Sequence, residues 1–153
     1  MTLGIRAASE ADLPAVARIV ADTPLWQRYG VTRERAEAAL AAGRSRGDAL
    51  SVAEDAGAVA GLAWVLPAGG FGRSPYLKWL GVRSGATSRG LGAALLRAAE
   101  ASAQVIRPEL FLLCSDFNVG ARRFYEREGY RRVGALPDYV LSGVTELVYF
   151  KRW

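Results

Sequence analysis

Apolar positions along the chain switch between a strand period and a helix period, and the switches lay out the elements. Leu3–Ala7 reads as a short strand. Ser9, Asp12 and Pro14 supply cap and first-turn residues ahead of apolar positions at helical spacing, which predicts a helix over Asp12–Ala21. Thr23–Gly30, punctuated by Pro24 and Gly30, reads as a connecting loop that carries two aromatics, Trp26 and Tyr29. Thr32 then caps an alanine-rich helix to Ala42. After Gly43–Asp48, apolar runs at Ala49–Glu54 and Ala58–Leu66 flank Asp55-Ala56-Gly57, a hairpin turn. Pro67–Pro75 reads as a glycine-rich loop. The remainder alternates: strand Tyr76–Val82, helix Gly90–Ser102, strand Pro108–Cys114, helix Asn118–Glu128, strand Tyr130–Ala135 and a closing strand Glu146–Lys151.

This order predicts an α/β fold, a mixed sheet with helices packed on both faces. The strand–helix–strand unit from Tyr76 to Cys114 should make a parallel pair joined by a right-handed crossover, with a ligand crevice at its carboxyl end. A length of 153 residues, with no repeat or linker, fits one domain.

Composition narrows the chemistry. Apolar residues are 51% of the chain, yet no run approaches the ~20 residues of a membrane helix and the N-terminus lacks a signal-like apolar stretch, so a cytoplasmic protein without membrane contact is expected. Cys114 is the single cysteine and histidine is absent, which removes internal disulfides, thiolate metal clusters and histidine-based catalysis; no metal is expected. Catalysis must then rest on carboxylates, tyrosine, lysine, backbone amides or water. A net charge of +5 favours a polyanionic partner such as nucleic acid, an acidic membrane face or a polyphosphate cofactor. The basic residues are dispersed, without the clustered, aromatic-interleaved face of a nucleic-acid binder, so no nucleic-acid partner is expected.

The strongest chemical signal lies between Leu80 and Leu96. Glycines at 90 and 92 permit close backbone approach to a ligand, and the helix that follows offers unpaired amides at its positive end, a combination that binds phosphate. A Walker loop would need Gly-Lys-Ser/Thr and a dinucleotide fingerprint a third glycine near Leu95; neither is present. Taken alone, the two glycines equally describe a helix start packed tightly on the sheet. The second segment, Asn118–Tyr130, opens on a cap and closes on Gly129, and Ala121, Phe124 and Tyr125 share one helical face, as core packing alone would also require.

Together the two segments resemble the GNAT superfamily of N-acetyltransferases. Its pyrophosphate loop has the form Arg-Gly-x-Gly-x-Gly/Ala, and Gly90-Leu91-Gly92 match its final glycines. Asn118, Ala121, Phe124, Tyr125, Glu126, Gly129 and Tyr130 match the later motif in type and spacing. The loop departs from the family at Thr87, where Gln or Arg is common, and at Ser88, where Gly is usual. The resemblance implies a largely antiparallel central sheet with a splayed parallel strand pair, acetyl-CoA as cosubstrate, an amine acceptor, and a monomer or homodimer. It places the cosubstrate on Leu80, Gly81, Val82, Thr87, Ser88, Arg89, Gly90, Leu91, Gly92, Ala93, Asn118, Ala121, Phe124 and Tyr125. The pantetheine arm would pair with the backbone around Leu80 and Val82 like an added strand, with an oxyanion donor at the Val82 amide. Tyr125 matches the general acid for the leaving thiolate. Trp26 and Tyr29 fall where the family builds its acceptor pocket. The general base stays open between Glu54, Asp138, Glu146 and a water chain, while Cys114 and Trp79 read as core. A non-catalytic acyl-CoA-binding module is the competing reading, opposed by the presence of Tyr125.

Overall fold

A computed structural model describes residues 3–86 and 90–153. Seven strands form one sheet in the order β1-β2-β3-β4-β5-β7-β6. They are β1 (Leu3–Ala7), β2 (Ala49–Asp55), β3 (Ala58–Gly70), β4 (Ser74–Val82), β5 (Glu109–Ser115), β6 (Arg131–Pro137) and β7 (Thr145–Arg152). β4 and β5 run parallel, and every other neighbouring pair is antiparallel. The sheet is mixed, as the sequence predicts. Among the described residues no helix is long and apolar enough to cross a membrane.

Helices cover both faces. On one, α1 (Leu13–Asp22), α2 (Pro24–Arg28) and α3 (Arg33–Arg46) bury Val16, Val20, Trp26 and Leu40 against Val52, Leu62, Trp64 and Trp79. On the other, α4 (Leu91–Gln104) and α5 (Val119–Arg127) lie over Ala63, Val65, Leu110, Leu112 and Tyr149, with Leu95 and Leu96 fully buried. β3 is therefore buried on both sides from Ala60 to Val65, which is why its sequence is a continuous apolar run instead of an alternation.

Three departures from the sequence reading have local causes. The loop expected at Thr23–Gly30 contains α2, because Pro24 at the first helical position presets φ and has no amide to leave unpaired; it starts a helix instead of breaking one. α3 continues through Gly43 to Arg46 and ends at Gly47 in the left-handed conformation. Gly43 serves packing: a Cβ there would sit 2.6 Å from Trp64 Cζ2. The loop expected over Pro67–Pro75 is a hairpin, β3 and β4 running on to a three-residue connection, Phe71–Arg73, in which Phe71 and Gly72 both have positive φ and the Arg73 amide donates to Gly70 O.

Candidate active site

β4 and β5 pair at only two positions, Tyr76↔Phe111 and Leu77↔Leu112, and then separate. Arg83 donates its amide to Ala60 O at 2.7 Å, on the β3 side. Because alternate residues of a strand present their amides to opposite edges, Leu80 and Val82 face the opening beside β5, where no strand pairs with them. From Leu80 inwards the opening widens into a cavity of about 350 Å³ between the two helical layers, with Val82 beyond its end.

The far wall comes from α5. Asn118 caps this helix, its Oδ1 accepting from the Ala121 amide at 3.2 Å, so the cap is a local structural device that also brings Asn118, Ala121 and Tyr125 onto the cavity. The Tyr125 ring packs edge-on to Phe124 and Tyr130, with centroids 5.2 and 5.8 Å away. Burial, together with nearby Cys114 and Tyr76, pushes its phenol above the ordinary value of 10.0. It remains a loaded proton donor at neutral pH.

The floor and near wall hold the remaining chemistry. Glu146, on β7, is buried, yet its carboxylate lines the cavity. The Tyr29 hydroxyl donates to Glu146 Oε2, and the Ser115 hydroxyl lies 2.5 Å from the Tyr29 oxygen and 3.5 Å from the same carboxylate. Burial and the bond to Glu146 push Tyr29 up to about 12. Burial and the Glu146 charge likewise push Tyr76 up to about 12 and the Cys114 thiol up to about 11, which keeps the wall residue Cys114 in its protonated form at neutral pH. Trp26 leans on Trp79 at 5.8 Å between centroids and covers Gly81, where a Cβ would meet Trp26 Cη2 at 2.6 Å.

Of the other carboxylates weighed as base, Glu54 is ion-paired to Arg6 at 2.9 Å on the far edge of the sheet. Asp138 accepts from the Gly143 amide at 2.6 Å, closing the β6–β7 connection. Neither lines the cavity. The distinction was invisible in sequence, since Glu146 meets Tyr29 only through the β5–β7 register Ser115↔Glu146 and the turn that ends α2, 117 residues away in the chain.

The glycine turn lies beyond the end of β4. Gly90 caps α4 with φ 70°, a conformation that favours glycine. Among the described residues a Cβ on Gly90 would find no heavy atom within 4 Å, and one on Gly92 would touch only the Phe124 ring at 3.8 Å. Tight helix–sheet packing therefore does not explain Gly92. Leu91 is buried in the core, which leaves its backbone alone to face a ligand, and Ala93 is half-buried in the first turn. Thr87, Ser88 and Arg89 lie outside the described residues. Gly81 and Val82 do not line the main cavity; Val82 borders a second one of about 310 Å³ between the end of α1 and Arg83.

The site thus combines a free β4 edge with a cavity that Tyr125 and Glu146 both line. The model of the acetyltransferase (GNAT) domain matches residues 46–132, more than half of the chain. Among solved structures, ribosomal-protein-alanine N-acetyltransferase from Brucella melitensis is 27% identical, with a TM-score of 0.81 over 98% of this chain and 99% of that one. Ard1 from Thermoplasma volcanium is 23% identical, with a TM-score of 0.83 over 99% and 98%. The yncA protein of Salmonella typhimurium, solved with its cofactor acetyl-CoA, is 20% identical, with a TM-score of 0.81 over 99% and 94%. No curated protein matches the chain.

Proposed function

Because the chain belongs to the GNAT superfamily of acetyltransferases, we propose that it acts as a single-domain enzyme moving the acetyl group of acetyl-CoA onto a primary amine by direct attack. The two-pair limit of the β4–β5 ladder carries this conclusion. It leaves the backbone of Leu80 and Val82 free to pair with the pantetheine arm and opens a passage in which Tyr125 and Glu146 line one cavity.

Each residue then has a defined task. Gly90, Gly92 and the first amides of α4 receive the pyrophosphate, with Leu91 and Ala93 contributing backbone only. Thr87, Ser88 and Arg89 complete that loop in the proposal. Glu146 takes one proton from the incoming ammonium and passes it to solvent at the cavity mouth, leaving a neutral amine to attack the thioester carbon. A β4 amide, assigned to Val82, faces the oxygen that becomes negative as the carbon turns tetrahedral. When the C–S bond breaks, Tyr125 gives its proton to the departing sulfur and regains one from the newly bonded nitrogen. The balance is an amide, a free thiol and one released proton. A non-catalytic module would have no use for a buried carboxylate and a protonated phenol in one passage.

Acetyl-CoA should bind with unchanged affinity in excess chelator, since amides and not a metal hold its phosphates. Calorimetric titration checks this, and binding that requires added magnesium would count against the proposal.

A further inference from the structure

We infer that the acceptor is a compact primary amine with a single positive charge on an apolar, aryl- or alkyl-sized body and no anionic group. This rests on the acyl-transfer proposal above and specifies its second substrate.

Glu146 is the starting point. Its side chain is buried, and its partners among the described residues are the hydroxyls of Tyr29 and Ser115, not a cation. A buried carboxylate without a counter-charge is costly unless something cationic reaches it, and the cavity is the open side from which one can. The surrounding walls are aromatic: Trp26, Tyr29, Tyr76 and Trp79. Such faces attract an organic cation through the ring quadrupole and accept its apolar body at once. At the rim, Leu25, Val31 and Val140 continue the apolar lining.

What the cavity holds little of is equally selective. Among the described residues Lys78 is the single cationic one on its lining, and that side chain is exposed with its ammonium 5.5 Å over the Trp64 ring. Arg28 stands nearby but stacks on Phe117 at 3.9 Å. An α-carboxylate on the acceptor would therefore meet Glu146 without a compensating cation, which disfavours free amino acids. Glu146 is also the only carboxylate on the lining among the described residues, which disfavours polyamines and aminoglycosides that need several. A peptide N-terminus would bring amide groups into a wall whose Asn118 Oδ1 is already committed to the α5 cap.

The test compares 2-phenylethylamine and hexylamine with L-phenylalanine, spermidine and an alanyl tripeptide amide. Turnover is followed by release of the CoA thiol, and binding by the tryptophan fluorescence of the protein with saturating CoA. The two monoamines should exceed the other three in kcat/KM by about 10²-fold. Glu146→Gln should weaken 2-phenylethylamine binding at least ~10-fold while acetyl-CoA affinity stays within about 3-fold. Equal or faster turnover of phenylalanine, spermidine or the peptide overturns the inference, as does monoamine binding that is absent or indifferent to Glu146→Gln. Monoamine binding that depends on Glu146 without any turnover supports the acceptor class and counts against the acyl-transfer proposal instead.

Discussion

Tyr125 is held by its ring and used by its hydroxyl, so the two can be separated. Phe in its place keeps the edge contacts to Phe124 and Tyr130 and removes only the proton donor. Tyr125→Phe should lower kcat by about 10²-fold, with acetyl-CoA affinity within a few-fold and the melting temperature unchanged. Steady-state kinetics, titration and a thermal scan check the three together, and an unchanged kcat would assign the ring to packing. The pH profile follows from the direction of the shift. The active form of Tyr125 is the protonated one, and its folded pKa lies above 10.0, so the donor stays loaded across neutral and mildly alkaline pH. Activity should therefore rise with pH as the amine deprotonates and show no alkaline fall below about pH 10. Single residues were unevenly legible in the sequence. Asn118 could be named because a cap is a local pattern. Glu146 could be placed on a strand, but its partnership with Tyr29 and Ser115 depends on strand register and on the end of a helix far away in the chain, which no local pattern encodes.

At the level of elements, α4 gives the cleanest contrast between packing and binding. Gly92 lies in its first turn with, among the described residues, only a 3.8 Å contact waiting for a Cβ, so alanine fits there and is the better helix former. Gly92→Ala should leave the melting temperature equal or higher and weaken acetyl-CoA by at least ~1.4 kcal/mol, a factor of ten, with a smaller effect on a pantetheine thioester lacking the nucleotide. Equal weakening of both ligands, or none, would remove Gly92 from the phosphate site. The strands were mostly legible because five of the seven sit between clear turn residues. The ends were not: Gly43 looked like a stop but accommodates Trp64, and Gly69 and Gly70 looked like a loop but permit close approach within a hairpin, with Tyr76 Cβ 2.9 Å from a Cβ built on Gly69. In each case tertiary contact, not local propensity, decides what glycine does.

Across the whole molecule, α4 ties the two parts of the sheet. Glu100 on α4 is buried and accepts from Tyr130 at 2.8 Å and from Lys151 at 3.0 Å, while Arg97 bonds both Glu100 and Glu128. Glu100→Ala strands a partly buried ammonium and a hydroxyl, which should cost about 3 kcal/mol and lower the melting temperature by about 6–12 °C, with acetyl-CoA affinity unchanged; a smaller thermal loss would make the cluster a surface network. The two-pair contact between β4 and β5 also has a consequence for how the native protein opens. A sheet whose two parts share backbone bonds at Tyr76 and Leu77 alone, and are otherwise held by α4 and the core beneath it, should open in two steps, β5, β7 and β6 with α5 loosening from β1–β4 with α1–α3 before global unfolding. Native-state hydrogen exchange should then give the β5 and β7 amides a shared opening free energy below that of β2 and β3. Acetyl-CoA, laid along the free edge of β4, should close the gap between the two values and slow exchange at Leu80 and Val82, so that the cosubstrate restores the cooperativity the missing ladder withholds.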